Sequence, residues 1–135
     1  KPGLRLILAA GEVPVGRYSL EFLDKTVQDP TFGVAFKDQV LSNVVSYEQT
    51  VKAVLIKVVL GEGDAGVVYT SDVTPGVANE VGQIKIPDEL NTFASYPIAV
   101  VSDSAYPTQA TAFMEYILSP AAQEILANYG FMPAS

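Results

Sequence analysis

The chain has 135 residues, 49% hydrophobic and 17% charged, with a formal net charge of −7 at pH 7. That length and apolar content suit one ordinary domain with a real core, while the negative charge excludes a nucleic-acid or anionic-membrane binder, whose contact face must be positive. With no His and no Cys, thiol nucleophiles, disulfides, imidazole acid/base chemistry and most transition-metal sites are excluded together.

The opening "KPG" has no Met and no signal-type apolar region before "LRLILAA" (residues 4–10), so the chain is expected to begin inside a longer protein. "LRLILAA" itself is too short for an independent helix and reads as a buried strand. After "GEVPVG", Gly16 is the expected N-cap of a helix running to about Gln28, with Leu20, Leu23 and Val27 at i, i+3 and i+7 and Phe22 beside them. Asp29-Pro30 stops it.

"FGVAFKDQVLSNVV" predicts a second, less regular helix with Phe36, Val40 and Leu41 on one side. The third helix follows the i, i+3, i+4, i+7, i+8 template at Val51, Val54, Leu55, Val58 and Val59, and Gly61 stands where a C-terminal glycine belongs. Two caps compete for its start: Ser46 with Gln49 as a capping box, or Thr50 directly before Val51. Lys52 and Lys57 interrupt the apolar run "VKAVLIKVVL", which is too short to span a bilayer.

"GEGDAGVVYTSDV" (61–73) comes next. Gly61, Gly63 and Gly66 match G-x-G-x-x-G literally, but a dinucleotide site needs the strand before the glycines and the helix after them. Here the order is reversed, so the stretch is a helix-to-strand turn. The strand "VVY" then ends on Tyr69, either a half-buried ring with its hydroxyl in water or a donor aimed at a ligand; Thr70, Ser71 and Asp72 start an exposed return path.

"GVANEVGQ" reads as a loop, "IKI" as a short strand before Pro87, and "YPIAVV" (96–101) as another strand. Two helices close the chain. One carries Phe113, Met114, Ile117 and Leu118 on a face; the other starts with Ser119 as N-cap and Pro120 at its first position, and ends at Gly130. Alternating strands and helices imply a mainly parallel α/β sheet flanked by helices.

Catalysis finds little support. Glu62 with Asp64, or Asp88 with Glu89, supply neighbouring carboxylates, yet turn and loop carboxylates are ordinarily solvated charge, and a serine hydrolase lacks its histidine and its G-x-S-x-G elbow. What remains is binding by backbone amides and neutral hydroxyls. The loops "EVPVG" and "SYEQT" each lead into a helix N-terminus, which presents free N–H groups and a favourable dipole to an anion. In a parallel sheet these termini and the strand ends share one edge, so Val15, Val51 and Tyr69 can converge there; taken singly, each reads first as a structural residue, Val15 as loop filler, Val51 as the first core residue of its helix and Tyr69 as a half-buried ring, and Arg17 is a solvated first-turn arginine or a counter-ion.

At this point "VPVGRYSLEFL", "VVSYEQTVKAVLIKVVLGEGDAGVVYTSDV", "YPIAVV" and "AFMEYILSPAAQEILANYGF" together resemble the periplasmic molybdate/tungstate-binding proteins of ABC transporters. The most specific parts are V-P-x-G-x-Y, G-E-x-D-A-G-V-V-Y-x-S-D and L-S-P-x-x-Q-x-I-L-x-x-Y-G-F. The resemblance implies a type II periplasmic binding protein-like lobe, with residues 1–94 the second lobe and 95–135 a return strand and helix pair normally associated with the first, N-terminal lobe, which is absent. It further implies a solute-binding protein, not an enzyme, that delivers a tetrahedral oxyanion, molybdate or tungstate, to an ABC permease at the membrane. The Val15 and Val51 amides and the Tyr69 hydroxyl would be ligands, with no cofactor and no metal cation. The expected location is periplasmic or extracellular, with a lipid anchor in the full-length protein as one form of it, and the apolar faces of the last two helices are expected to find a substitute partner on this lobe or in a second copy. Alternative readings are a sulfate, phosphate or organic-anion receptor, and the effector-sensing domain of a transcription regulator.

Overall fold

The computed structural model describes residues 3–134. Four consecutive apolar residues are best accommodated in the middle of a sheet, and β1 (Leu6–Ala9) is buried along its whole length. It pairs in parallel with β2 (Val44–Glu48) on one side and β3 (Ala65–Gly66) on the other, giving the order β2-β1-β3. The connections are helical: α1 (Pro14–Gln28) and α2 (Phe36–Leu41) lead from β1 to β2, and α3 (Val51–Val59) leads from β2 to β3. Parallel neighbours need such crossovers, and their fixed right-handedness puts α1 and α3 on opposite faces of the sheet. The α/β class with a parallel sheet flanked by helices is as expected.

The chain divides into two compact units, one ending at Thr92 and one beginning at Phe93. The core of the first is Ile7, Ala9, Val15 and Val54, with Val13, Val51, Val58, Val68 and Tyr69 packed against it. Ion pairs and polar contacts bind its periphery. Arg5 grips Asp64 with two guanidinium nitrogens, Nη2 to Oδ1 at 2.7 Å and Nε to Oδ2 at 3.4 Å, while its backbone N–H donates to the same carboxylate at 2.8 Å. One carboxylate of each candidate catalytic pair is engaged: Asp64 by Arg5, and Asp88 by Lys85 at 2.9 Å.

α3 follows its apolar template closely. Thr50 caps it, its hydroxyl accepting from the Ala53 N–H at 3.1 Å, so Thr50 and not Ser46 wins the competition. At the other end Gly61 has φ of +74°; its N–H donates to Val58 O at 3.0 Å and the Glu62 N–H to Lys57 O at 2.9 Å. This pair of bonds is the Schellman arrangement, which glycine enters without strain.

Several elements differ from expectation. α1 begins three residues early, with Val13 as N-cap and Pro14 at the first helical position, because proline's missing N–H costs nothing there. Gly16 is then inside the first turn, where it meets the end of β1: a Cβ on it would lie 2.0 Å from Ala10 O and 2.6 Å from Ala9 O. α2 stops at Leu41, and "VVSYE", expected partly as helix and partly as loop, is strand β2. The β-branched Val44 and Val45 favour that outcome once β1 offers a partner. The ladder takes Ala65 and Gly66 of the expected turn instead of the expected strand, and Val67–Tyr69 run on beyond it. Neither 84–86 nor 96–101 is a strand. A strand exists only through its ladder, and in the second unit the neighbouring elements are helices while Pro97 has no N–H to contribute.

That second unit contains α4 (Pro107–Ile117) and α5 (Pro120–Asn128). Ser119 and Pro120 open α5 as expected, the Ser119 hydroxyl accepting from the Ala122 N–H at 3.4 Å. Gln123 pins the corner, donating to Ile117 O and accepting from the Ala134 N–H, both at 2.8 Å. Tyr96 meets Phe131 edge to face with centroids 5.8 Å apart. Phe113, Tyr116 and Leu118 of the α4 segment and Ile125 of α5 are exposed.

The closeness of Gly16 to two backbone carbonyls gives a sharp test. Gly16→Ala is expected to lower stability by about 1–3 kcal/mol, since neither carbonyl can rotate away as a side chain would. Urea unfolding measures it, and an unchanged midpoint would refute the close approach of α1 to β1.

Candidate binding site

The loops after β1, β2 and β3 all leave from the carboxyl ends of parallel strands, so they lie along one sheet edge. Each of the three residues singled out above follows one of these strand ends. Val15 is the second residue of α1, Val51 is the first residue of α3, and Tyr69 ends the extended stretch after β3. The structure brings all three to one place: Val15 belongs to the core cluster, and Val51 and Tyr69 pack against it.

The two helix termini present their amides differently. In α1 the first ladder bond is Arg17 N–H to Val13 O at 3.1 Å; the Val15 and Gly16 N–H groups precede it and find no acceptor among the described residues. A buried Ser19 hydroxyl fixes that turn by donating to Val15 O at 2.7 Å. In α3 the Thr50 hydroxyl takes Ala53 N–H and the Thr50 carbonyl takes Val54 N–H at 3.4 Å. The Val51 and Lys52 amides are left in the same state as those of Val15 and Gly16. Each pair lies at the positive end of its helix.

Tyr69 is held on two sides. Its ring meets Tyr18 of α1 edge to face, with centroids 6.3 Å apart and planes at 68°. Its backbone is clasped by Thr70–Asp72, a 3₁₀ turn, in which Asp72 Oδ2 accepts from Tyr69 N–H at 2.9 Å and Tyr69 O accepts from Asp72 N–H at 3.1 Å. The expected exposed path thus includes half-buried Ser71 and Asp72. Burial pushes the Asp72 carboxyl above the usual carboxylate range, against the opposing pull of the Tyr69 N–H.

Ser19, Tyr18 and Asp72 are supporting residues that sequence reasoning passed over. Tyr18 and Asp72 stand inside the quoted motifs, V-P-x-G-x-Y and V-V-Y-x-S-D, and Ser19 stands one helical turn after Val15. Arg17 is exposed. Among the described residues no group of His, Cys, Asp or Glu is arranged to hold a metal ion, and no helix is long and apolar enough to cross a membrane. The chemistry available at the edge is hydrogen-bond donation.

Two parallel-strand ends open onto helix N-termini, and a phenol follows the third. The chain belongs to the bacterial extracellular solute-binding protein family, whose profile matches residues 1–132; it falls among binding proteins, not enzymes. It is 32% identical over 131 residues to the molybdate-binding protein ModA of Mycobacterium tuberculosis and to that of Mycobacterium bovis, a match covering 97% of this chain and 45% of each relative. It is also 32% identical over 120 residues to a putative ABC transporter substrate-binding lipoprotein, YvgL, of Bacillus subtilis, covering 88% of this chain and 42% of that one. The chain therefore spans less than half the length of these relatives. No solved structure matches it significantly.

Asp72 gives a pH-dependent expectation. Because its folded-state pKa is raised, its ionisation opposes folding: the cost is absent below the ordinary carboxylate range, grows as pH rises through the raised value, and is complete above it. Asp72→Asn keeps an acceptor for Tyr69 N–H and removes the titration. The variant is expected to be at least as stable as the parent at pH 7, its advantage shrinking as the solution is acidified, in urea melts across pH 3–7. A variant less stable at pH 7 would mean that the charged bond to Tyr69 outweighs burial.

Proposed function

We propose that this chain supplies one side of a binding site for a tetrahedral oxyanion, molybdate or tungstate, in the solute-binding component of an ABC importer. The Val15 and Val51 amides and the Tyr69 hydroxyl are its donors. The observation that carries this reading is the convergence of the two unbonded helix N-termini with Tyr69 on one cluster, at one edge of a parallel sheet. The name of the mycobacterial relatives supports the choice of ligand.

The donor set suits such an ion. A fully deprotonated tetrahedral dianion offers only acceptors, so N–H and O–H donors without a titratable acceptor favour it over a protonated oxyanion, which must also donate. Each charge-assisted bond is worth about 1.5–3 kcal/mol. In this reading the remaining ligands come from a first lobe that closes on this one, residues 95–135 return to that lobe, and the exposed faces of α4 and α5 pack on it or, in its absence, on a second copy. The working partner is the ABC permease. A location outside the cytoplasm follows from the same reading, and a lipid anchor is supported by the name of the Bacillus relative.

Residue-resolved amide spectra test this directly. Titrating the chain with molybdate or tungstate is expected to move the Val15, Gly16, Val51 and Lys52 resonances in one saturable process, with sulfate weaker. Tyr69→Phe is expected to weaken binding by one charge-assisted hydrogen bond, about 1.5–3 kcal/mol or about ten- to a hundredfold. Absence of any oxyanion-dependent shift at the two helix termini would exclude the site, and unchanged affinity in the Phe variant would remove Tyr69 from it.

A further inference from the structure

Resting on the oxyanion reading above, we propose that the Glu48–Lys57 ion pair, bridged by Ser46, is a positioning device that sets where the Val51 amide stands relative to the Val15 amide. Glu48 is the last residue of β2, and it reaches both helix termini of the site. Its carbonyl accepts from Ala10 N–H at 2.9 Å, and Ala10 O in turn accepts from the N–H of Val13, the cap of α1, also at 2.9 Å. The turn that presents Val15 is thereby tied to the backbone of Glu48.

The side chain of Glu48 does the same for α3. Its Oε1 takes Lys57 Nζ at 2.7 Å and also accepts from the Ser46 hydroxyl, while Lys57 Nζ donates to Ser46 Oγ at 3.0 Å. Ser46 and Glu48 are two apart on a strand and so share a face, the half-buried one; Val45 and Tyr47 occupy the exposed one. Lys57 lies six residues beyond Val51, about 9 Å along the helix axis. Its carbonyl also receives Glu62 N–H and Gly63 N–H in the turn that ends α3.

α3 is consequently held to the end of β2 at two heights, by the short chain link Gln49-Thr50 that joins Glu48 to Val51 and by the Lys57 ion pair near its far end. Two separated attachments define a helix's rotation as well as its position, and rotation is what aims the Val51 amide. The Glu48 side chain is 14% exposed and that of Lys57 32%, so this is not a freely solvated surface pair of the kind that contributes little. An apolar contact in the same place would tolerate a range of rotations, whereas a three-membered polar cluster has one satisfied geometry.

The test uses amide spectra and molybdate titration of the parent chain, Lys57→Met, Glu48→Gln and the conservative Lys57→Arg. In ligand-free protein, Lys57→Met is expected to shift the Val51 and Lys52 resonances while those of Tyr69 stay in place. Molybdate affinity is expected to fall about three- to tenfold, Glu48→Gln to fall in the same direction, and Lys57→Arg to stay within about twofold of the parent. If Lys57→Met does not fold, Glu48→Gln carries the same comparison. A folded variant with unmoved Val51 and Lys52 resonances, or with parental affinity, overturns the positioning role while leaving the site intact. A parent chain that shows no molybdate-dependent shift removes the oxyanion reading itself, and this inference with it.

Discussion

The pairing of Leu6–Ala9 with a parallel neighbour on each side is the constraint from which the rest of the first unit follows. A parallel pair cannot be closed by a tight turn, so both connections must cross the sheet, and helices do this with their backbone groups already satisfied. The direction of crossing also decides where the helices start. Because β1, β2 and β3 all point the same way, α1 and α3 are compelled to begin at the same edge, and the chain leaving β3 arrives there too. Val15, Val51 and Tyr69 are widely separated in sequence and become neighbours around Ile7, Ala9 and Val54 by this argument alone.

In the proposed reading, that geometry reconciles an acidic protein with an anionic ligand. The net charge of −7 acts over the whole surface and is screened within roughly 8 Å at physiological salt. On that reading a bound oxyanion instead meets the amides in front of it. Two helix ends, each equivalent to about half a positive charge, supply attraction without a lysine or arginine at contact, and Arg17 stays exposed. Neutral donors held by the backbone have a further advantage over mobile cations: their positions are fixed by Ser19 on Val15 O, by Thr50 on Ala53 N–H and by Asp72 on Tyr69 N–H, so little ordering is left for the moment of binding.

The sequence was most legible where local chemistry and tertiary packing ask for the same thing. α3 shows its apolar stripe and its Gly61 terminus in one short stretch, and α5 shows Ser119-Pro120; all three read correctly, while the choice of Thr50 over Ser46 as cap needed the structure. Legibility failed where a distant partner decides. "VVSYE" becomes a strand because β1 lies beside it, and Val67–Tyr69 and 96–101 fail to become strands for want of a ladder, although the three look alike as apolar runs. Gly16 was recognised as a helix-start glycine, but its reason lies in the carbonyls of Ala9 and Ala10, which no local pattern reveals. The site residues themselves came from motif and edge geometry together; their supporting hydrogen bonds did not.

"GEGDAG" shows how a motif can be uninformative about chemistry and still dense in structural demands. Gly61 takes the left-handed turn that ends α3; Gly63 leaves room for Ile7, whose Cγ1 would lie 2.4 Å from a Cβ; Gly66 leaves room for Val54, whose Cγ1 would lie 2.7 Å away. Between them Asp64 receives the guanidinium and backbone N–H of Arg5, while Asp64 N–H itself donates to Arg5 O at 2.8 Å. Each glycine has a separate steric reason, and none concerns a phosphate. Their joint effect is to let β3 approach the central strand closely enough for Ile7 and Val54 to meet beneath it, which is what carries the chain on to Tyr69 at the carboxyl edge of the sheet. The nucleotide-like spacing is thus a by-product of packing a short strand tightly against β1.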